Sequence, residues 1–231
     1  NCKDLFKELI GAIRGADAYV VGVAYFMVEA DRCLQLIADD LELGIVQLIG
    51  GQAIAVLLIK ATGGQIDINV HSNGSLIKHP DILRAVSTGQ VAIGEILLGQ
   101  FGNEDPVFAI DNMPFFATGF DNAMKLYEAQ KPVLEKKLAA RGAKLLYSVA
   151  WPGQGIYTKN ALKTVDDLKG TKFRTYSPTT SRFAELMGAV PTTVQVPEVP
   201  QAFRTGLVDA MITSGSTGVD TQAWDYLTHY Y

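Results

Sequence analysis

From residue 61 onward the apolar positions switch between a period of two and a period near 3.6, which predicts strands alternating with helices. Gly63 and Gly64 open GGQIDINVH, where Ile66, Ile68 and Val70 alternate with polar neighbours as in a half-buried strand. HPDILRAVSTG reads as a helix with Pro80 and Asp81 in its first turn and Gly89 as its stop, and QVAIGEILLG as an extended apolar run. NAMKLYEAQKPVLEKKLAARG is a long amphipathic helical pattern that Pro132 should break or kink. AKLLYSVAWP reads as a buried strand, WPGQGIYTKN as a loop rich in Gly and Pro, and TVDDLKG as a short capped segment. The strand KFRTYS, the helix SRFAELMGA, the strand TTVQV, the helix VPQAFRTG and the strand LVDAMITS complete an α/β alternation.

Two of these segments share a frame. DILRAVSTGQVAIGE, ending at Glu95, and VPQAFRTGLVDAMIT, ending at Thr213, both contain Ala-x-x-Thr-Gly-x-Val followed by apolar residues. Gly tolerates the left-handed conformation that closes a helix, so Thr-Gly serves as a C-terminal turn and Val as the start of a strand. Chance use of a common cap is one explanation, and two lobes built to one plan is the other.

Composition narrows the class. Hydrophobic residues make up 48% and charged residues 19%, which belongs to a folded chain. A net charge of -4 with pI near 5.4 offers no basic footprint for nucleic acid or an anionic membrane surface. The apolar runs VVGVAYFMV, from Val20 to Val28, and AIAVLLI, from Ala53 to Ile59, are too short to cross a bilayer. NCKDLFKELI lacks the pattern of a leader, which leaves open a cytoplasmic protein or numbering that begins after processing. Spacing does not decide whether Cys2 and Cys33 pair, and no Cys/His arrangement has metal-ligand spacing.

Candidate chemistry is sparse. GQGIYT is a partial dinucleotide fingerprint whose last glycine is a threonine, with Pro152 intruding at the turn, so no cofactor is expected. SGSTG, from Ser214 to Gly218, lacks nucleophile-elbow spacing and reads as a capped turn. His71, His79 and His229 match no metal spacing, and Asp166-Asp167 reads as acidic chemistry at a helix start. Arg174 raises a sharper question. In TKFRTYS, Phe173 and Thr175 share one face, and Lys172, Arg174 and Tyr176 the other. That second face is either solvated, or it aims a guanidinium fork at a carboxylate.

The stretches DLKGTKFRTYSPTTSRFAELMGAVPTTVQVPEVPQAFRTGLVDAMITS and ATGGQIDINVHSNGSLIKHPDILRAVSTGQVAIGE resemble the solute-binding proteins of tripartite ATP-independent periplasmic (TRAP) transporters, the DctP-like family. The resemblance covers nearly all of residues 61 to 231. It implies an α/β fold of the type II periplasmic-binding-protein kind, two α/β lobes with an interlobe ligand cleft that closes on a small organic acid. By resemblance, the arginine that grips the ligand carboxylate falls on Arg174, and a further pocket position, often asparagine in relatives, falls at or next to Ser214. A second frequent arginine would fall near Gln154 and is missing. Trp151, Gln154 and Tyr157 stand there instead, an arrangement that suits a monocarboxylate with hydroxyl or aromatic character better than a compact dicarboxylate. Ser177, Glu95 and Asn73 complete the implied ligand-binding set.

The resemblance further implies a periplasmic monomer, its leader removed, that delivers its acid to TRAP membrane subunits without chemistry, without a cofactor or metal, and without inserting into the membrane. Replacement of Arg174 is expected to weaken binding and leave the fold intact. The expected division is residues 61–147 as lobe 1, rejoined by 216–231, and residues 148–215 as lobe 2. Residues 1–60 do not follow the family in order and are expected as an atypical, mostly helical segment packed on lobe 1. MVEADRCLQLIADD faintly resembles the family's late helical region. Two alternatives stand beside this reading: a small α/β enzyme acting on a carboxylate, and an engineered or permuted scaffold derived from the family.

Overall fold

The structure, a computed structural model, describes residues 22–23, 59, 62–65, 68–148 and 150–231. The chain forms two compact units, one of residues 1–96 with 131–151 and one of residues 97–130 with 152–231. Expectations placed on Cys2, Cys33, Ile66 and Met27 to Asp40 lie outside the described residues.

In the first unit, β1 (Gly22–Val23) pairs in parallel with β2 (Glu95–Ile96) on one side and β3 (Tyr147–Ser148) on the other. The register sets Gly22 opposite both Glu95 and Tyr147. The apolar runs around β2 and β3 were expected as longer strands, yet only two residues of each pair. Leu98, Gly99 and Phe101 turn instead into a buried 3-10 helix. GGQIDINVH forms no strand over its described residues, where Val70 is 40% exposed and offers no buried side for the alternation to serve. Helix α1 (Ile82–Ser87) buries Leu83, Ala85 and Val86.

Helix α2 (Phe120–Ala139) runs unbroken through Pro132. The carbonyl that Pro132 leaves without a donor belongs to Glu128, which is exposed to water, so the interruption is tolerated there. Beyond that point Leu134 and Leu138, one turn apart, are both buried.

The second unit holds a five-stranded mixed sheet in the order β6-β5-β7-β4-β8. Its strands are β4 (Gln154–Thr158), β5 (Lys172–Thr175), β6 (Val190–Thr193), β7 (Ala210–Ser214) and β8 (His229–Tyr230). β6, β5 and β7 run parallel, and β4 runs antiparallel to both β7 and β8. β4 corrects the expectation of a loop at WPGQGIYTKN. Residues 216–231 also stay with this unit, because β8 pairs with β4. The connecting helices are α3 (Pro178–Leu186), α4 (Val199–Arg204) and α5 (Gly215–Asp220).

Alternation along the strands sends side chains to two cores. Phe173, Ala210, Ile156 and Ile212 pack with Leu168, Ala184 and Met187 on one face. Met211 and Tyr157 pack with Val199, Phe203, Val208 and Leu227 on the other. Because Phe173 is level with Ala210 and Arg174 with Met211, Arg174 falls on the second face.

The shared Thr-Gly frame is the same cap in both units. In the first, the N–H of Thr88 donates to Arg84 O and that of Gln90 to Ala85 O. In the second, the N–H of Thr205 donates to Gln201 O and that of Leu207 to Ala202 O. Gly89 and Gly206 adopt φ of 72° and 70°, where a Cβ is strained. Thr88 and Thr205 each return their hydroxyl to the carbonyl four residues earlier, at 3.0 Å.

Phe173 is fully buried and packs where two of the parallel strands meet α3. Phe173→Ala should lower the unfolding free energy by about 3–5 kcal/mol. Urea titration followed by circular dichroism would measure the loss.

Candidate functional site

The carboxyl ends of β5, β6 and β7 form one edge of the second unit, the end of a parallel sheet at which α/β proteins place ligands. Arg174 reaches this edge from within β5 and is 1% exposed. Its Nε donates to Val194 O at 3.0 Å, just beyond β6, and its Nη1 donates to Ile212 O of β7 at 3.1 Å. The guanidinium carbon lies 5.3 Å from the Tyr176 ring centroid. Among the described residues no carboxylate pairs with it. Burial pulls its pKa down to about 10, so it stays cationic at neutral pH. The solvated-face alternative is thereby ruled out.

Neighbouring side chains take their places through local caps. Ser177 is buried at the N-cap of α3, where its Oγ accepts from the Thr180 N–H at 3.2 Å and Thr180 Oγ1 accepts from the Ser177 N–H at 2.9 Å. Gln154 is exposed at the start of β4, opposite Ser214 in the β4–β7 register. Its Oε1 accepts from the Tyr176 hydroxyl at 3.2 Å. Ser214 is buried and commits its hydroxyl to capping α5, accepting from the Thr217 N–H at 3.1 Å. Tyr157 donates to Ser214 O at 3.3 Å, and its ring lies 4.5 Å from that of Tyr230. Gly218 leaves the space its hydroxyl occupies, since a Cβ there would collide with it.

Glu95 and Asn73 belong to the first unit, and Trp151 is its last residue. Glu95 is half-buried beside β1, and desolvation pushes its pKa up to about 7. Its charge, after desolvation, also raises the Tyr147 hydroxyl above its ordinary value. Asn73 sits in an exposed turn with φ of 56°.

Sequence reasoning passed over the segment that flanks Arg174's neighbours. The 3-10 helix Pro106–Asn112 is capped by Asp105, which accepts from the Val107 N–H at 3.0 Å. It ends in Asp111 and Asn112. Asn112 donates from Nδ2 to Asp111 Oδ1 at 3.0 Å and accepts at Oδ1 from the Ser177 hydroxyl at 3.4 Å. Gly99 makes room for this amide, which a Cβ would strike. Burial raises Asp111 to about 6, against the lowering effect of Asn112. The Asp105-Pro106 pair signals the helix start, while the burial of Asp111 has no local sequence signal.

These residues set the cation among hydroxyl and amide groups, an arrangement chemically suited to an anion. Among the described residues no group of His, Cys, Asp and Glu could hold a metal, and no helix is long and apolar enough to cross a membrane.

Residues 47–230 match the family model described as bacterial extracellular solute-binding protein, family 7, DctP. The chain belongs to the DctP family of TRAP solute-binding proteins. It is 45% identical to DctP7 of Bordetella pertussis, an extracytoplasmic solute receptor binding pyroglutamic acid, with a TM-score of 0.74 over 92% of this chain and 65% of that one. A marine metagenome TRAP solute-binding protein specific for pyroglutamate is 36% identical, with a TM-score of 0.73 over 93% of this chain and 65% of that one. The C4-dicarboxylate-binding periplasmic protein DctP of Rhodobacter capsulatus is 28% identical over 217 residues, 89% of this chain and 62% of that protein. The chain thus spans less than two thirds of the length of each. The two solved relatives share the mixed α/β fold found here.

Arg174 is also bound into the fold, against the expectation that its replacement leaves the fold intact. Its donors satisfy Val194 O and Ile212 O inside the unit, so Arg174→Ala should cost about 1–3 kcal/mol of stability even without ligand. Arg174→Lys should recover part of that loss, and denaturant midpoints of the three proteins would rank them.

The raised carboxyls add a pH dependence. Glu95 and Asp111 hold their protons more tightly folded than unfolded, so the folded state binds more protons between their ordinary values, 4.5 and 3.8, and about 7 and 6. Stability from these two groups therefore falls as pH rises from about 4 to 7, by on the order of 2–3 kcal/mol each. In thermal melts across that window, Glu95→Gln should flatten the upper part of the fall and Asp111→Asn the lower.

Proposed function

We propose that the chain is the acid-capturing part of a periplasmic TRAP receptor, and that Arg174 pairs with the carboxylate of a small monocarboxylic acid. The observation that carries this reading is the burial of a charged guanidinium without an acidic partner among the described residues. A site with such a cation favours an incoming carboxylate, which restores the lost solvation. The neutral groups around it, the Tyr176 hydroxyl, the Gln154 amide and the Ser177 hydroxyl, suit the uncharged remainder of a monocarboxylate. Similarity to receptors of pyroglutamic acid, at 45% and 36% identity, supports a ring-bearing monocarboxylate over a dicarboxylate. Trp151, Tyr157, Ser214, Glu95 and Asn73 are proposed as further ligand-binding positions. The acid is released unchanged to TRAP membrane subunits, and the receptor acts as a monomer.

L-pyroglutamate should raise the melting temperature of the chain in proportion to its affinity, and mass spectrometry of the recovered ligand should find it intact. Arg174→Ala should weaken calorimetric binding by about 2–5 kcal/mol, and Arg174→Lys by less, because an ammonium keeps the charge without the fork. Full affinity in a folded Arg174→Ala protein, or turnover of the acid, would overturn the reading.

A further inference from the structure

Asp111 is a buried carboxylate that the Arg174 contacts leave unexplained. Its Oδ1 accepts from Asn112, while its Oδ2 is sealed from solvent and has no hydrogen-bond partner among the described residues. An ionised oxygen left in this state costs free energy that a neutral side chain of the same shape would avoid. The fold also holds it in place rather than letting it turn outward. Asn112 grips Asp111 Oδ1 with its amide and receives the Ser177 hydroxyl, which in turn caps α3 directly after the strand that carries Arg174. Asp111 is thus tied through two side chains, Asn112 and Ser177, to the segment on which the guanidinium stands.

Tyr176 locates the two charges with respect to each other. The Arg174 guanidinium carbon lies 5.3 Å from its ring centroid, and the next residue, Ser177, donates its hydroxyl to Asn112, whose amide holds Asp111. Arg174 and Asp111 are thus joined through the Tyr176–Ser177 step, and no ion pair links them among the described residues. An anion left unpaired beside a cation site is suited to a ligand that carries a carboxylate at one end and a hydrogen-bond donor at the other.

Resting on the carboxylate-receptor reading, we propose that Asp111 is a specificity-determining residue of the Arg174 site: its unpartnered Oδ2 accepts a hydrogen bond from an N–H of the acid. The site then takes carboxylic acids with an N–H donor, lactam acids among them, over isosteres that present an oxygen lone pair at the same position. The discrimination has two parts. The isostere leaves the buried oxygen unsatisfied, and it sets one lone pair against another.

Calorimetric titration of the chain with L-pyroglutamate and with its lactone isostere, which has a ring oxygen in place of the N–H, tests this directly. The wild type should prefer the lactam by at least tenfold. Asp111→Asn can keep the contact with Asn112 through its oxygen and present an NH₂ group where Oδ2 stood, so its preference should vanish or reverse while Arg174 still holds the carboxylate. Asp111→Ala should bring the two affinities together. Equal wild-type affinities, or a tenfold lactam preference retained in Asp111→Asn, would overturn the role of Asp111 and leave the carboxylate reading intact. Wild-type protein that binds neither acid would overturn both.

Discussion

A guanidinium taken out of water stays charged only where its donors find acceptors and its plane finds a polarisable surface, and the second unit is organised around meeting that demand for Arg174. One acceptor comes from the residue after β6 and another from β7, the two strands that flank β5. Both are available only because the three strands run parallel in a register that brings their carboxyl ends level. The third support is the Tyr176 ring, two residues further along the same strand direction. A slip of one residue in β5 would carry Arg174 into the core of Phe173 and Ala184, so the hydrophobic alternation and the placement of the charge enforce the same register.

The same edge carries costs that stability alone would not retain. Asp111 is buried with an unsatisfied oxygen, and the Arg174 donors are met by backbone carbonyls instead of a carboxylate. Natural folds break the rule of polar satisfaction at a few positions, and these concentrate where a ligand completes the set. Arg174 lies against Tyr176, whose hydroxyl also reaches Gln154, and Asp111 joins the same segment through Asn112 and Ser177.

The α/β alternation was legible because the second half of the chain keeps clean periods and its punctuation is chemical: Thr164 and Asp167 form a capping box, Ser177 and Ser214 start helices, and Gly206 ends one. Asp167 is held below the ordinary carboxylate range by the N–H groups of Thr164 and Lys163, as its place at a helix start implied. Other features were not legible. Gly153 and Gly155 read as loop residues, but Gly155 lies in β4 because the Tyr230 ring occupies the place of its missing side chain. Arg174 looked equally consistent with a solvated face, since its burial is decided by carbonyls 20 and 38 residues away. Asp111 carries no pattern at all, and its burial comes from packing between segments distant in sequence.

The repeated Thr-Gly caps bear on the order in which structure forms. Each closes through contacts within six residues and needs no strand partner, so little loop-closure entropy opposes it. Pairing β4 with β8, by contrast, joins Tyr157 to Tyr230, near opposite ends of the second unit's longer segment. Local helix-to-strand turns of this kind can be present before the sheet assembles. Each then delivers its following residues already pointed along the strand direction, which lowers the search that a mixed sheet of high contact order otherwise demands.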